Sequence, residues 1–211
     1  TKQEIENLRN EALKLYQERK YEEALKLARQ IVALKEKEFG VRHIEVAKSL
    51  SDAAVIEIAG GKLKDGEMTI KQAVSIFESN TDLNSEDALA LAGILEMLGF
   101  VKFRRNELEE AITAYRRALE LKEKNNGAGS VETSKTLWQL GNLYLAAGDY
   151  AAAFDFYERV VKIRARNMEH VGYDEVYDAV QRYECAAGKA GKIPEASSLI
   201  NNAQTKIDKY T

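Results

Sequence analysis

Apolar residues recur along this chain in a pattern that belongs to paired helices. The repeating element is a large apolar residue, two spacers, a small residue, and then apolar residues one and two helical turns later. It occurs five times, at Tyr21/Ala24, Leu63/Gly66, Leu108/Ala111, Tyr150/Ala153 and Ile193/Ala196, with the small residues 42, 45, 42 and 43 positions apart. Four instances carry a large residue at +4 (Ile70, Tyr115, Tyr157, Ile200), and all five carry an apolar one at +7 (Ile31, Ala73, Ala118, Val160, Ala203). These positions fall on one face of a helix. The first unit departs from the rest, with Ala28 where the others have a large side chain, as expected of a looser end of the array.

A second marker lies 12 positions before each small residue, at Ala12, Ala54, Gly99, Gly141 and Glu184. Four of the five are small, and small residues on two neighbouring helices let their backbones approach closely, so each unit reads as two antiparallel helices. Glu184 puts a carboxylate at the fifth crossing. Short polar breaks separate the two helices of each unit, at residues 18–20, 60–62, 105–107, 147–149 and 190–192, and three of them contain Gly. Between units, Phe39-Gly40 and Asn126-Gly127 end helices, and Asn84-Ser85-Glu86-Asp87 is a polar cap followed by first-turn acids. Ten helices are predicted, over about residues 2–18, 21–39, 43–59, 63–78, 85–104, 108–125, 130–147, 150–167, 173–189 and 193–209, and no strand.

These residues resemble the tetratricopeptide repeat, which combines W-x2-L-G-x2-Y in its first helix with A-x3-F in its second. The fourth unit matches best: Leu137-x2-Leu140-Gly141-x2-Tyr144 precedes Gly148-Asp149-Tyr150-x2-Ala153-x3-Tyr157. In the third unit Leu95-x2-Leu98-Gly99 precedes Leu108-x2-Ala111-x3-Tyr115, although Lys102 stands where the pattern has Tyr. The long spacing and the stretch Gly40-Val41-Arg42-His43-Ile44-Glu45-Val46-Ala47 are similar to the longer repeats of kinesin light chains and their bacterial relatives. The resemblance implies an all-α fold, a right-handed α-solenoid of about five antiparallel helix pairs. It also implies one array over residues 1–211, with units at about 2–42, 43–84, 85–129, 130–171 and 172–211.

Composition narrows the function classes. The 31 basic and 34 acidic residues give a net charge of -3, so no overall positive field exists to hold nucleic acid. No apolar run is long enough to cross a bilayer, and the chain is expected to be soluble. It begins at Thr1 and reads as an excised segment or a processed form. Cys185 has no second cysteine to pair with and no ligand set at zinc spacing, so no metal or cofactor is expected. His43 and His170 stand alone in connections and read as linker or capping residues, while Cys185 reads as a small buried or groove-lining apolar residue. Gly188-Lys189-Ala190-Gly191-Lys192 lacks both the leading Gly and the trailing Ser/Thr of a phosphate loop. No nucleophile with a base is found, and the chain is expected not to be an enzyme.

What remains is the concave face, lined by first-helix residues that do not pack within their own pair. The candidate partner-binding residues are Tyr16, Lys48, Val55, Ile58, Phe100, Phe103, Arg104, Lys135, Trp138 and Asn142. Arg9, Leu13, Ser51, Glu96, Asp178 and Cys185 lie in the same rows. An aromatic strip flanked by cations fits a protein or peptide segment with apolar anchors and acidic residues. The expected function is therefore a non-catalytic scaffold that holds a peptide segment in this groove. The alternative is a structural self-assembly module, in which the apolar strip or an exposed end of the stack docks onto another copy to give a homo-oligomer. A plainer reading of the strip has it covered by an additional helix, by the chain's own C-terminus or by a second copy.

Overall fold

The computed structural model describes residues 2–209; residue 1 and the last two residues of the expected fifth unit, 210 and 211, lie outside the described residues. The described chain contains α1 (Lys2–Gln17), α2 (Tyr21–Phe39), α3 (Ile44–Ala59), α4 (Leu63–Glu78), α5 (Ser85–Arg104), α6 (Leu108–Asn126), α7 (Val131–Ala147), α8 (Tyr150–Arg166), α9 (Met168–Val171), α10 (Tyr173–Ala190) and α11 (Ile193–Ile207), and no strand. Ten of these follow the sequence pattern. The addition is α9, a single turn in a connection expected to be irregular, which buries Met168 and stops at Gly172 with φ 86°.

The helix ends obey the local chemistry. Asn84 Oδ1 accepts from the Asp87 N–H at 2.9 Å, Ser130 Oγ from Thr133 at 3.0 Å and Asp149 Oδ1 from Ala152 at 3.0 Å, each satisfying a first-turn donor. His43 caps α3 in the same way, its Nδ1 accepting from the Glu45 N–H at 3.2 Å while its ring stacks on Phe39. Within each break, the residue five positions before the small residue has a left-handed backbone: Arg19 (φ 60°), Gly61 (82°), Asn106 (63°), Gly148 (81°) and Gly191 (71°). Gly adopts this conformation freely, whereas Arg19 and Asn106 strain their Cβ to do so.

The chain forms two compact units, Thr1–Arg105 with α1–α5 and Asn106–Thr211 with α6–α11. In the first, each helix packs on the next, and Ala24, Leu25, Ala28, Ala53 and Ile56 form a core beneath Tyr16 and Tyr21. Lys102, which departs from the Tyr of the repeat pattern, finds a buried partner on α4: its Nζ is 3.0 Å from Glu67 Oε1, and Lys71 and Arg105 bind the same carboxylate. In the second unit α7 packs on α8 and α8 on α10, around Leu137, Leu140, Phe154, Tyr157 and Tyr183. A Cβ on Gly141 would stand 2.8 Å from Tyr157 Cε1, so the small residue is required there. Glu184, the carboxylate at the fifth crossing, is exposed, while Tyr183, Ala187 and Ala196 beside it are buried between α10 and its neighbours.

Candidate functional site

Alternate helices α1, α3 and α5 present side chains that their own pairs do not use, and in the first unit these gather around two clefts. One, of about 460 Å³, opens between α1, α2 and α3, with Ala12, Ala28, Ile31 and Ile56 as floor and Arg9, Leu13, Tyr16, Asp52 and Val55 at the rim. The other, of about 470 Å³, is lined by Tyr16, Val55, Ile58, Gly93, Glu96, Met97 and Phe100. Tyr16 and Val55 belong to both, so the apolar surface runs continuously from one cleft to the next. Tyr16 is set by an edge-on contact with Tyr21 at 5.7 Å. Val55 is 38% exposed and Phe100 39%, which leaves large apolar side chains open to water.

The charged groups around these clefts differ in their freedom. Lys48 Nζ lies 2.9 Å from Asp87 Oδ1, with Glu45 at 3.4 Å and Glu86 at 3.6 Å, and the Asp87 hydrogen bond raises its pKa. Its charge is committed within the unit. Lys35, itself buried, donates to Glu45 at 2.8 Å and holds that carboxyl below its ordinary range. Arg104 lies at the end of α5, its guanidinium 5.7 Å from the Phe100 ring centroid, in the range of a cation–π contact. Phe103 is 45% exposed and lines neither cleft. Asp52 is exposed at the cleft rim with no hydrogen bond or ion pair among the described residues, and partial loss of solvent there pushes its carboxyl upward against the weaker pull of Arg9 and Lys35.

The second unit uses its candidates differently. Trp138 is half-buried, edge-on to Tyr157 at 5.5 Å and covered by the Arg164 guanidinium at 4.9 Å. Asn142 Oδ1 accepts from the Tyr157 hydroxyl at 2.7 Å, and burial pushes that phenol up to about 12. Lys135 pairs with Glu132 one turn away at 2.8 Å. Cys185 is exposed. The structure therefore brings Tyr16, Val55, Ile58 and Phe100 together in the first unit, while Lys135, Trp138 and Asn142 have partners of their own in the second. Sequence reasoning missed Asp52 and Met97. Both carry a readable signal, since Asp52 is one turn from Lys48 and Met97 is three residues before Phe100 on the same helix faces.

Two tetratricopeptide repeat family models match the sequence, one over residues 90–166 and one over residues 12–45, together more than half of its length. The chain belongs to the tetratricopeptide repeat family. Solved structures agree on the fold. The nearly identical TPR-like repeats of a Podosopora anserina protein assigned as a kinesin light chain superpose with a TM-score of 0.76 at 20% identity, covering 98% of this chain and 96% of that one. BtubC (BKLC) from P. vanneervenii gives 0.79 at 19% identity over 98% of this chain and 80% of its own, and MamA gives 0.67 at 18% over 99% and 94%. Among curated proteins, none matches the sequence. The fold is thus all-α and of the tetratricopeptide solenoid class, whose repeats serve in general as protein–protein interaction scaffolds. No helix among the described residues is long and apolar enough to cross a membrane.

Proposed function

We propose that the face shared by α1, α3 and α5 binds a peptide segment of a partner protein through apolar anchors. The observation that carries this reading is the continuity of the two clefts through Tyr16 and Val55, with Val55 and Phe100 open to water. Burial of such a surface would supply affinity, and polar groups at the rim would set direction. The acidic residues expected in the partner have Arg104 to meet, since Lys48 is held by Asp87 and Lys135 by Glu132. Self-association is the competing use of the same surface.

The test uses peptides selected by display against the full chain, with affinity measured by fluorescence anisotropy. Val55→Ser combined with Phe100→Ser should weaken binding at least ~30-fold while leaving the melting temperature close to wild type, because these side chains are rim and not core. Unchanged affinity in the double variant would show that the partner uses another surface. Light scattering over a concentration series separates the competing use, since self-association raises the mass with concentration and an empty peptide site does not.

A further inference from the structure

The constant register lets the first and fourth helix pairs be compared residue by residue. Counted from Ala24 and Ala153, the residues Arg9, Ala12, Leu13 and Ala28 correspond to Trp138, Gly141, Asn142 and Tyr157. In the fourth pair the space between the helices is full. Tyr157 is completely buried against Gly141, Trp138 meets its ring edge-on, and its hydroxyl donates to Asn142 at 2.7 Å. In the first pair Ala28 offers only a methyl group. The cleft of about 460 Å³ lies at that place, with Ala28 in its floor and the counterparts of Trp138, Gly141 and Asn142 in its wall. It is a repeat from which the aromatic plug is missing.

A carboxylate stands at the rim of the same cleft. Exposed Asp52 lines it from α3, no protein group among the described residues hydrogen-bonds its carboxylate, and Arg9 and Lys35 act on it only through space. A side chain with an apolar body and a donor at its tip or edge matches both features: the ring fills the volume and the O–H or N–H meets the rim carboxylate. Phenylalanine would fill the space without a donor for that carboxylate.

We propose that this cleft takes one Tyr or Trp side chain from the bound segment, which supplies from outside the ring that Tyr157 supplies from within the fourth pair. The inference rests on the reading that the α1–α3–α5 face binds a segment, and gives that segment an anchor position and a residue type. A rigid aromatic seated in a deep pocket is the usual form of an interface hot spot. The second cleft, around Val55, Ile58 and Phe100, receives the neighbouring apolar residues.

Two variants fill the cleft internally. Ala28→Tyr restores the residue of the fourth pair, and Ala28→Leu fills less space and serves where the tyrosine does not pack. Binding is read by anisotropy of display-selected peptides, and by amide shifts of the labelled full chain titrated with N-acetyl-L-tyrosinamide. The selected peptides should share a Tyr or Trp, and whichever variant melts at or above wild type should lose affinity about 30-fold or more. N-acetyl-L-tyrosinamide should shift the amides of Leu13, Ala28 and Asp52 saturably in wild type and not in Ala28→Leu. Asp52→Asn should narrow the preference for Tyr over Phe in the same peptides. A folded Ala28→Leu chain that binds the peptides as tightly as wild type overturns the pocket, and leaves the broader reading intact if Val55→Ser with Phe100→Ser still abolishes binding. Absence of saturable shifts at these three residues also overturns it, as does a concentration-dependent mass that Ala28→Leu abolishes, which would assign the cleft to a second copy.

Discussion

The hydroxyl of Tyr157 donates to Asn142 Oδ1 at 2.7 Å while the edge of its ring lies against Gly141, so one side chain fixes both the distance and the register of α7 and α8. The contact leaves no space for a branched residue at 141. Gly141→Leu should destabilise the second unit by about 2–3 kcal/mol, because overpacking here meets a buried ring that cannot turn aside without losing its hydrogen bond. Thermal unfolding followed by circular dichroism checks this, and a variant melting within a degree of wild type would contradict the packing.

Arg19 occupies a left-handed position that three of the other breaks give to glycine. Arg19→Gly removes the Cβ strain at a modest cost in chain entropy, and should stabilise the first unit by about 0.5–1 kcal/mol. Gly148→Ala should act in the opposite direction. Urea unfolding of both variants tests the pair, and equal and opposite signs are expected.

Glu67 gives the first unit a distinct acid response. Burial pushes its carboxyl upward, but hydrogen bonds from Lys71 and Lys102 outweigh that and hold it at about 2, below its ordinary 4.5. A depressed folded-state value means that this contribution to stability is fully present above about 4.5 and is lost as pH falls toward about 2. Urea midpoints measured between these limits should fall less steeply with acid in Glu67→Gln than in wild type. Identical slopes would mean that the carboxylate is not held by its cations.

Trp138 and Phe100 look alike in the sequence and should respond differently to mutation. Trp138→Ser removes a ring packed against Tyr157 and covered by Arg164, and should cost about 3 kcal/mol. Phe100→Ser opens no comparable hole, because that ring is already 39% exposed, and its loss should appear in binding and not in melting. A melting point lowered as far by Phe100→Ser as by Trp138→Ser would mean that the face is internal packing.

The helix pairs were legible because packing within a pair depends on local spacing: Ala24, Gly66, Ala111, Ala153 and Ala196 mark the second helices, and Gly40 and Gly127 the connections. The apolar face was legible in outline for the same reason, since Val55, Ile58 and Phe100 recur at helical spacing, although Ile58 also packs over Gly66 of its own pair. Charge pairing was not. Lys48 meets Asp87 only because α3 and α5 approach each other, and Trp138 is covered by an arginine 26 positions later, so neither contact leaves a periodic signal. The turn at α9 and the exposure of Glu184 likewise depend on how the last helices settle. Ala28 was visible as a departure from the repeat, but its consequence, an open cleft beside an unpaired Asp52, needs the neighbouring helix to be in place.

The central claim, that a partner segment lies on the α1–α3–α5 face, is tested most directly by site-specific photocrosslinking of a display-selected peptide to the full chain. A benzophenone side chain is placed in turn at position 55, at position 100 and, as a control, at position 68, where Met68 is 72% exposed on α4 and lines neither cleft. Crosslinking from 55 and 100, competed by unlabelled peptide and absent from 68, is the result expected. Crosslinking from 68 as strong as from 55 and 100 would place the segment elsewhere and contradict the account.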